Sequence, residues 1–202
     1  MIPFPKKKYH LIYADPPWQY NSAYIIGGKN NRKRKQLEEN YPTMTLEDIK
    51  SLPISTISQD NCVLFLWATP PLLPESLEVI ESWGFSYKTI AYTWVKLEQD
   101  SRPFFGLGSY TKSNCELCLL GVKGNVGRLT KGNTDPFEKL CPISNSESQV
   151  ITTTRINRDP IFHSMKPDKV AKSIERLFGD INRVELFARR KREGWDVWGN
   201  EV

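Results

Sequence analysis

Tyr9-His-Leu-Ile-Tyr-Ala14, running directly into Asp15-Pro-Pro-Trp18, is the stretch that decides how this chain is read. Six residues rich in aromatic and branched side chains favour extended backbone. Pro16 and Pro17 then end the strand, because proline fixes φ near −65° and brings no N–H to a ladder. A carboxylate is thereby set at the carboxyl end of a buried strand, beside two stiff backbone carbonyls and an indole.

Further strands and helices alternate along the chain. Cys62-Val-Leu-Phe-Leu-Trp-Ala68 is a continuous apolar run of the kind buried on both faces of a sheet. Leu77, Ile80 and Trp83 share one helix face that Gly84 ends, and Thr45-Leu-Glu-Asp48 opens a short helix with a capping threonine. Tyr87–Lys96 and Glu116–Val122 read as strands. Pro167 starts a helix carrying Val170, Ile174, Leu177 and Phe178 on one side and closed by Gly179. Arg183-Val-Glu-Leu-Phe-Ala188 is a last strand, with Glu185 and Phe187 on the same face, followed by a tail through Trp195 and Trp198. Gly124–Asp159 is polar and irregular and reads as a surface excursion. The alternation predicts an α/β fold over residues 1–202 as one domain, with a mostly parallel central sheet and helices on both faces. In such sheets ligands bind beyond the carboxyl ends of the strands, where Asp15 and the residues after Ala188 stand.

The 202 residues are 39% apolar and 25% charged, an ordinary globular composition, and no apolar run reaches membrane-span length. The net charge of +5 suits a phosphate-bearing partner. Four scattered cysteines predict a reduced, cytoplasmic setting rather than a disulfide scaffold. Cys115 and Cys118 are three apart in a strand, so they face opposite sides and read as buried thiols; no metal site is expected. Gly106-Leu-Gly108 lacks the third glycine and the strand-to-helix setting of a dinucleotide motif, and reads as a loop. The run Lys29-Asn-Asn-Arg-Lys-Arg-Lys35 lies in a long segment leaving Trp18, and is either a solvated charge cluster or a phosphate contact.

The chemistry available at Asp15–Trp18 is specific. A carboxylate and a fixed carbonyl can accept both hydrogens of an –NH₂ group, and an aromatic ring can stack on the flat base that carries it. Acceptors on both hydrogens turn the amine lone pair out of conjugation, and the carboxylate opposes the positive charge that grows on nitrogen during attack. The plainer alternative is a strand terminus with Asp15 as a cap.

Six blocks occur in order: Tyr13-Ala-Asp-Pro-Pro-Trp18, Leu64-Phe-Leu-Trp-Ala68, Asn114-Cys-Glu-Leu-Cys-Leu-Leu-Gly121, Lys166-Pro-Asp168, Glu185-Leu-Phe-Ala-Arg189 and Gly194-Trp-Asp-Val-Trp-Gly-Asn200. The set resembles the MT-A70 family of S-adenosylmethionine-dependent N(6)-adenine methyltransferases, in particular its compact bacterial and phage members, from about Tyr9 to Val202. The resemblance implies a Rossmann-like methyltransferase fold with permuted motif order. It assigns Asp15, Pro16, Pro17 and Trp18 to catalysis. It assigns Lys166, Glu185, Phe187, Arg189, Asn200 and Glu201 to the cofactor S-adenosylmethionine. Tyr20, Lys29, Arg32, Lys33, Arg34, Lys35 and Glu116 are the expected substrate-binding residues. Lys166 would meet the cofactor's carboxylate, Phe187 and Arg189 its adenosine, and Asn200 and Glu201 its ribose. Lys166 has a surface-lysine alternative and Phe187 a core-packing one. Where eukaryotic members carry His-Asn after the arginine, this chain has Lys191-Arg192.

The expected activity is methyl transfer to the 6-amino group of adenine in DNA, with DNA favoured over RNA as partner. The rivals are the same reaction on RNA and a non-catalytic nucleic-acid-binding scaffold of the same fold. Methylation of the cytosine 4-amino group is disfavoured, because Asp15 stands where cytosine enzymes carry Ser or Thr. The resemblance also implies a homodimer or a methyltransferase-like partner subunit, and the lack of a span-length apolar run predicts no membrane.

Overall fold

The computed structural model describes residues 2–19, 42–106, 110–127, 140–144, 146–154 and 165–202. The expected contacts of Tyr20, Lys29, Arg32, Lys33, Arg34 and Lys35 fall outside these residues, as do Leu107 and Gly108. Among the described residues seven strands form one sheet: β1 (Tyr9–Ala14), β2 (Ser58–Ala68), β3 (Ser86–Leu97), β4 (Cys115–Lys123), β5 (Val150–Thr154), β6 (Arg183–Leu186) and β7 (Asp196–Trp198). Their order across the sheet is β5-β3-β4-β2-β1-β6-β7. β1 pairs in parallel with β2 and β6, β6 with β7, and β3 with β5. β4 alone runs against both of its neighbours, β2 and β3. The sheet is therefore mixed, with four parallel pairings and two antiparallel ones, both made by β4. A local signal explains the reversal: β3 and β4 follow one another with no helix among the described residues between them, and an antiparallel pair needs no crossover.

Each face of the sheet has its own apolar layer. On one, Ile12, Leu64, Leu66 and Val184 pack against Ile49 of α1 (Leu46–Lys50), Ile54 and Ile57 of α2 (Ile54–Ile57), and Val79 and Ile80 of α3 (Leu73–Ser82). On the other, Leu11, Tyr13, Phe65 and Trp67 meet Val170, Ala171, Ile174 and Phe178 of α4 (Asp168–Phe178). Burial of these side chains, at roughly 1.5–3 kcal/mol each, drives the assembly. Thr45 caps α1 as its sequence predicts, its Oγ1 accepting from the Asp48 N–H at 3.1 Å. Gly179 ends α4 with φ 67°, and Gly84 follows α3 with φ 83°, both in the region glycine reaches without strain. None of the described helices is long and apolar enough to cross a membrane.

Three sequence expectations are corrected. The segment read as an irregular excursion contains β5, an edge strand that pairs with β3 from Thr93↔Val150 to Leu97↔Thr154. The tail after Ala188 contains β7, which extends the sheet beyond β6. The last strand stops at Leu186, because Phe187 takes φ 60° and breaks the alternation. Glu185 and Phe187 consequently do not share a face: Phe187 packs with the layer that holds Leu186, while Glu185 joins Arg192 on the other side.

The six co-directional strands bring their carboxyl ends to one edge of the sheet, where β4 begins. The register Ala68↔Leu117 and Trp94↔Glu116 fixes the start of β4 beside the ends of β2 and β3. Ala14, Ala68, Leu186 and Trp198 thus end their strands around one space.

Candidate active site

A cavity of about 440 Å³ opens at this edge, within the range of sites that hold a small-molecule ligand. Asp15, Pro16, Pro17 and Trp18 line it from β1, and Trp67, Ala68 and Thr69 from β2. Glu116 lines it from β4 and Lys166 from the segment before α4. The far wall is Phe187, Ala188 and Arg189 after β6, with Trp198, Gly199, Asn200 and Glu201 at the end of β7. Residues as far apart in sequence as Asp15 and Glu201 thus share one space.

The tip of β1 is held by hydrogen bonds that the prolines dictate. The Trp18 N–H donates to the Pro16 carbonyl at 2.9 Å, and the Met44 N–H donates to the Pro17 carbonyl at 2.9 Å. Both carbonyls therefore carry one partner already and keep a second lone pair for another donor. Trp18 is buried among the apolar layer and its Nε1 donates to the Trp67 carbonyl at 3.1 Å. Its indole thus anchors the tip to β2 as well as lining the cavity, a role that Asp15-Pro-Pro-Trp18 does not announce in sequence.

Charge is concentrated on one wall. The Lys166 ammonium lies 2.8 Å from Asp15 Oδ1 and 3.0 Å from Glu116 Oε2, and 5.4 Å from the centre of the Trp67 ring. Burial pushes the Asp15 carboxyl above the usual aspartate range; Lys166 opposes that shift and Glu116 adds to it. Burial also works against the Glu116 charge, but Lys166 and Lys96 together overcome it and hold Glu116 at about 2. Lys166 is raised above the ordinary lysine value: burial alone would lower it, and the two carboxylates more than compensate.

The opposite wall is aromatic and close-packed. Phe187 and Trp198 meet edge to face with centroids 5.5 Å apart, and Trp198 meets Phe4 in the same manner at 5.1 Å. The Ala188 N–H donates to the Trp198 carbonyl at 2.9 Å. Gly199 allows this approach, because a Cβ there would lie 2.2 Å from the Ala188 carbonyl oxygen. Arg189 Nε donates to Glu201 Oε1 at 3.0 Å across the rim.

Of the expected cofactor residues, Lys166, Phe187, Arg189, Asn200 and Glu201 line the cavity and Glu185 does not. The Glu185 carboxylate instead accepts from Arg192 Nε at 2.9 Å, while Arg192 also donates to Asp168 at 2.7 Å. Arg192 is thus engaged at the start of α4 rather than in the cavity. Burial raises Glu185, and Arg192 counters it. Trp67, Met44 and Trp198 line the cavity without having been singled out from the sequence. Trp67 and Trp198 share a signal, an aromatic side chain at the end of a strand, whereas Met44 reaches the cavity through its bridge to Trp18. Cys118 is buried beneath the site, its thiol pushed well up by burial.

The MT-A70 family model matches residues 9–201. Type II methyltransferase M.MunI from Mycoplasma sp is 34% identical over 208 residues, covering 98% of this chain and 79% of that protein. The human N(6)-adenine-specific methyltransferase METTL4 is 28% identical over 208 residues, covering 98% of this chain and 38% of its own length. The human N(6)-adenosine-methyltransferase catalytic subunit METTL3 is 28% identical over 199 residues, covering 96% and 28% respectively. The chain thus spans most of the bacterial relative and well under half of either human one.

Proposed function

Since the chain belongs to the MT-A70 family, we propose that it transfers a methyl group from S-adenosylmethionine to the 6-amino group of adenine in DNA, on a Rossmann-like methyltransferase fold. The observation that carries this reading is that Asp15-Pro-Pro-Trp18 and the Phe187–Arg189 and Asn200–Glu201 segments open into the same cavity.

The donor set fits the cofactor. Phe187 and Trp198 offer aromatic surface for an adenine, Asn200 and Glu201 offer acceptors for a ribose diol, and Lys166 offers a cation for a carboxylate. S-adenosylmethionine, when bound, would supply an electrophilic methyl group carried on a sulfonium, whose carbon–sulfur bond breaks to leave a neutral thioether. Asp15 accepts one hydrogen of the adenine amine, and the spare lone pair of a proline carbonyl accepts the other. This pairing turns the nitrogen lone pair out of the ring plane and holds it in one direction. As the new nitrogen–carbon bond forms, the growing positive charge finds the Asp15 carboxylate already in place. The nitrogen then loses a proton, which a cationic amine gives up readily to water. The Asp15 carboxylate keeps acceptor capacity for the amine hydrogen while Lys166 stays on Oδ1, since its two oxygens offer about four lone-pair sites.

DNA is the favoured substrate because the chain spans 79% of a bacterial type II methyltransferase. RNA is the second reading, favoured by the 28% identity to an N(6)-adenosine-methyltransferase catalytic subunit. A duplex target must first be turned out of the stack, at a cost of a few kcal/mol. To test the reading, purified protein is incubated with methyl-labelled cofactor and adenine-containing DNA and RNA oligonucleotides. N(6)-methyladenine is expected in DNA, with kcat lowered about 10²–10³-fold in Asp15→Ala, the loss typical of one preorganised polar group. Product in RNA alone selects the second reading, and no methyladenine in either polymer overturns both.

A further inference from the structure

Lys96 stands at the end of β3, outside the cavity lining, and has no part in the scheme above. Its side chain crosses to the neighbouring strand, where Nζ lies 2.5 Å from Glu116 Oε1 and 4.5 Å from the centre of the Trp94 ring. Glu116 turns its other oxygen, Oε2, to Lys166 at 3.0 Å, and Lys166 reaches Asp15 at 2.8 Å. The four groups make a continuous row of alternating charge, Lys96–Glu116–Lys166–Asp15, from β3 across the sheet edge to β1. Each of the four side chains is at most a quarter exposed, so water screens the row weakly.

Such a row divides each inner ion between two neighbours. Glu116 is shared by two lysines, so its pull on Lys166 is moderated. Lys166 is shared by two carboxylates, so it sits against Asp15 without being committed to it. Removing Lys96 leaves Glu116 with Lys166 as its remaining partner in the row, and the ammonium is drawn towards β4. Removing the Glu116 charge does the reverse and leaves Lys166 wholly to Asp15. We propose that Lys96 is a positioning residue: by holding Glu116 it keeps the Lys166 ammonium divided between Glu116 and Asp15, and so sets how much of the Asp15 charge is left to face the amine. The inference rests on the function proposed above.

Other groups face Asp15 as well. Arg189 favours its charged form, Glu185 disfavours it, and buried Tyr13 and Cys118 remain neutral, both pushed well up by burial. None of these changes when Lys96 is replaced, so the variants report the row itself.

The test uses the full chain without ligand and follows the carboxyl carbon of Asp15 by ¹³C NMR across pH, with its signal identified by its loss in Asp15→Asn. Lys96→Met is expected to raise the Asp15 titration midpoint by roughly half a unit or more, Lys96→Arg to restore it, and Glu116→Gln to lower it. The acid limb of kcat/KM for the oligonucleotide should move in the same opposed directions. Lys96→Gln replaces Lys96→Met if the latter does not fold. Midpoints that stay at the wild-type value in the charge-removing Lys96 variant, or that move the same way in Lys96→Met and Glu116→Gln, overturn the inference. A wild-type chain that methylates nothing overturns the proposed function instead, and the ligand-free titration still judges the charge row.

Discussion

Gly199 shows how a single missing side chain shapes the site. The backbone after β7 lies against that of Ala188, and any Cβ at position 199 meets the Ala188 carbonyl oxygen at 2.2 Å and its nitrogen at 2.6 Å. Neither atom belongs to a flexible side chain, so the clash is relieved only by moving Trp198 and Asn200, which line the cavity. Gly199→Ala is therefore expected to weaken S-adenosylmethionine binding at least about tenfold by calorimetry, more than it affects helix content, since the strain falls on one wall. Unchanged affinity would show that this wall does not contact the cofactor. At the same scale Trp18 combines two duties. Its indole fills the apolar layer and its N–H is satisfied by Trp67, so the neighbouring Asp15 is held rigidly although the chain leaves the sheet there.

Among the elements, α4 and the segment leading into β5 are joined by a bidentate ion pair. Arg176 donates to Glu147 through Nε and Nη2, each at 2.7 Å, and Ser173 Oγ donates to the same carboxylate at 2.6 Å. The Arg176 hydrogen bonds, with that of Ser173, hold Glu147 at about 2, below the ordinary 4.5. A carboxylate depressed in the folded state stabilises it at pH above its ordinary value, and that stabilisation disappears as pH falls through the folded value. Wild type should thus exceed Glu147→Gln in Tm at neutral pH. The difference should shrink as pH falls from about 4.5 towards 2. A Tm difference that is constant across that window would show that the pair contributes through packing alone. β5 itself is short, with its side chains alternating between exposed and half-buried. Val150-Ile-Thr-Thr-Thr154 is a β-branched run that does favour strand, but its polar surroundings masked the signal.

Over the whole molecule, the mixed sheet brings six strands to one edge, where the carboxyl ends of β1, β2, β6 and β7 frame one cavity with the start of β4. The net charge of +5 adds a long-range attraction for phosphates. If the basic run contributes to it, binding of a DNA oligonucleotide should weaken steeply with salt. Replacing Lys33, Arg34 and Lys35 with serine should lower the log–log salt slope by about 0.9 for each phosphate that is no longer neutralised. A slope that stays the same, measured by fluorescence anisotropy, would mark the run as solvated surface.

By itself the sequence determined several element ends and the motifs beside them: Asp15-Pro-Pro-Trp18 after an apolar run, Thr45 as a helix cap, Gly179 as a helix stop, and the Glu185–Arg189 and Gly194–Asn200 blocks late in the chain. These are local matters of backbone freedom, side-chain period and missing donors, and the chain writes them in neighbouring residues. The reversal of β4, the pairing of β5 and β7, the turn at Phe187 that separates it from Glu185, and the charge row beginning at Lys96 were decided only in three dimensions. Strand order and ion pairing depend on which distant segments share a face, and Lys96 meets Glu116 because Trp94 and Glu116 stand in register across two strands. Nothing adjacent to Lys96 in the chain encodes that meeting, since the energy that favours it arises only when the sheet has closed and water has left.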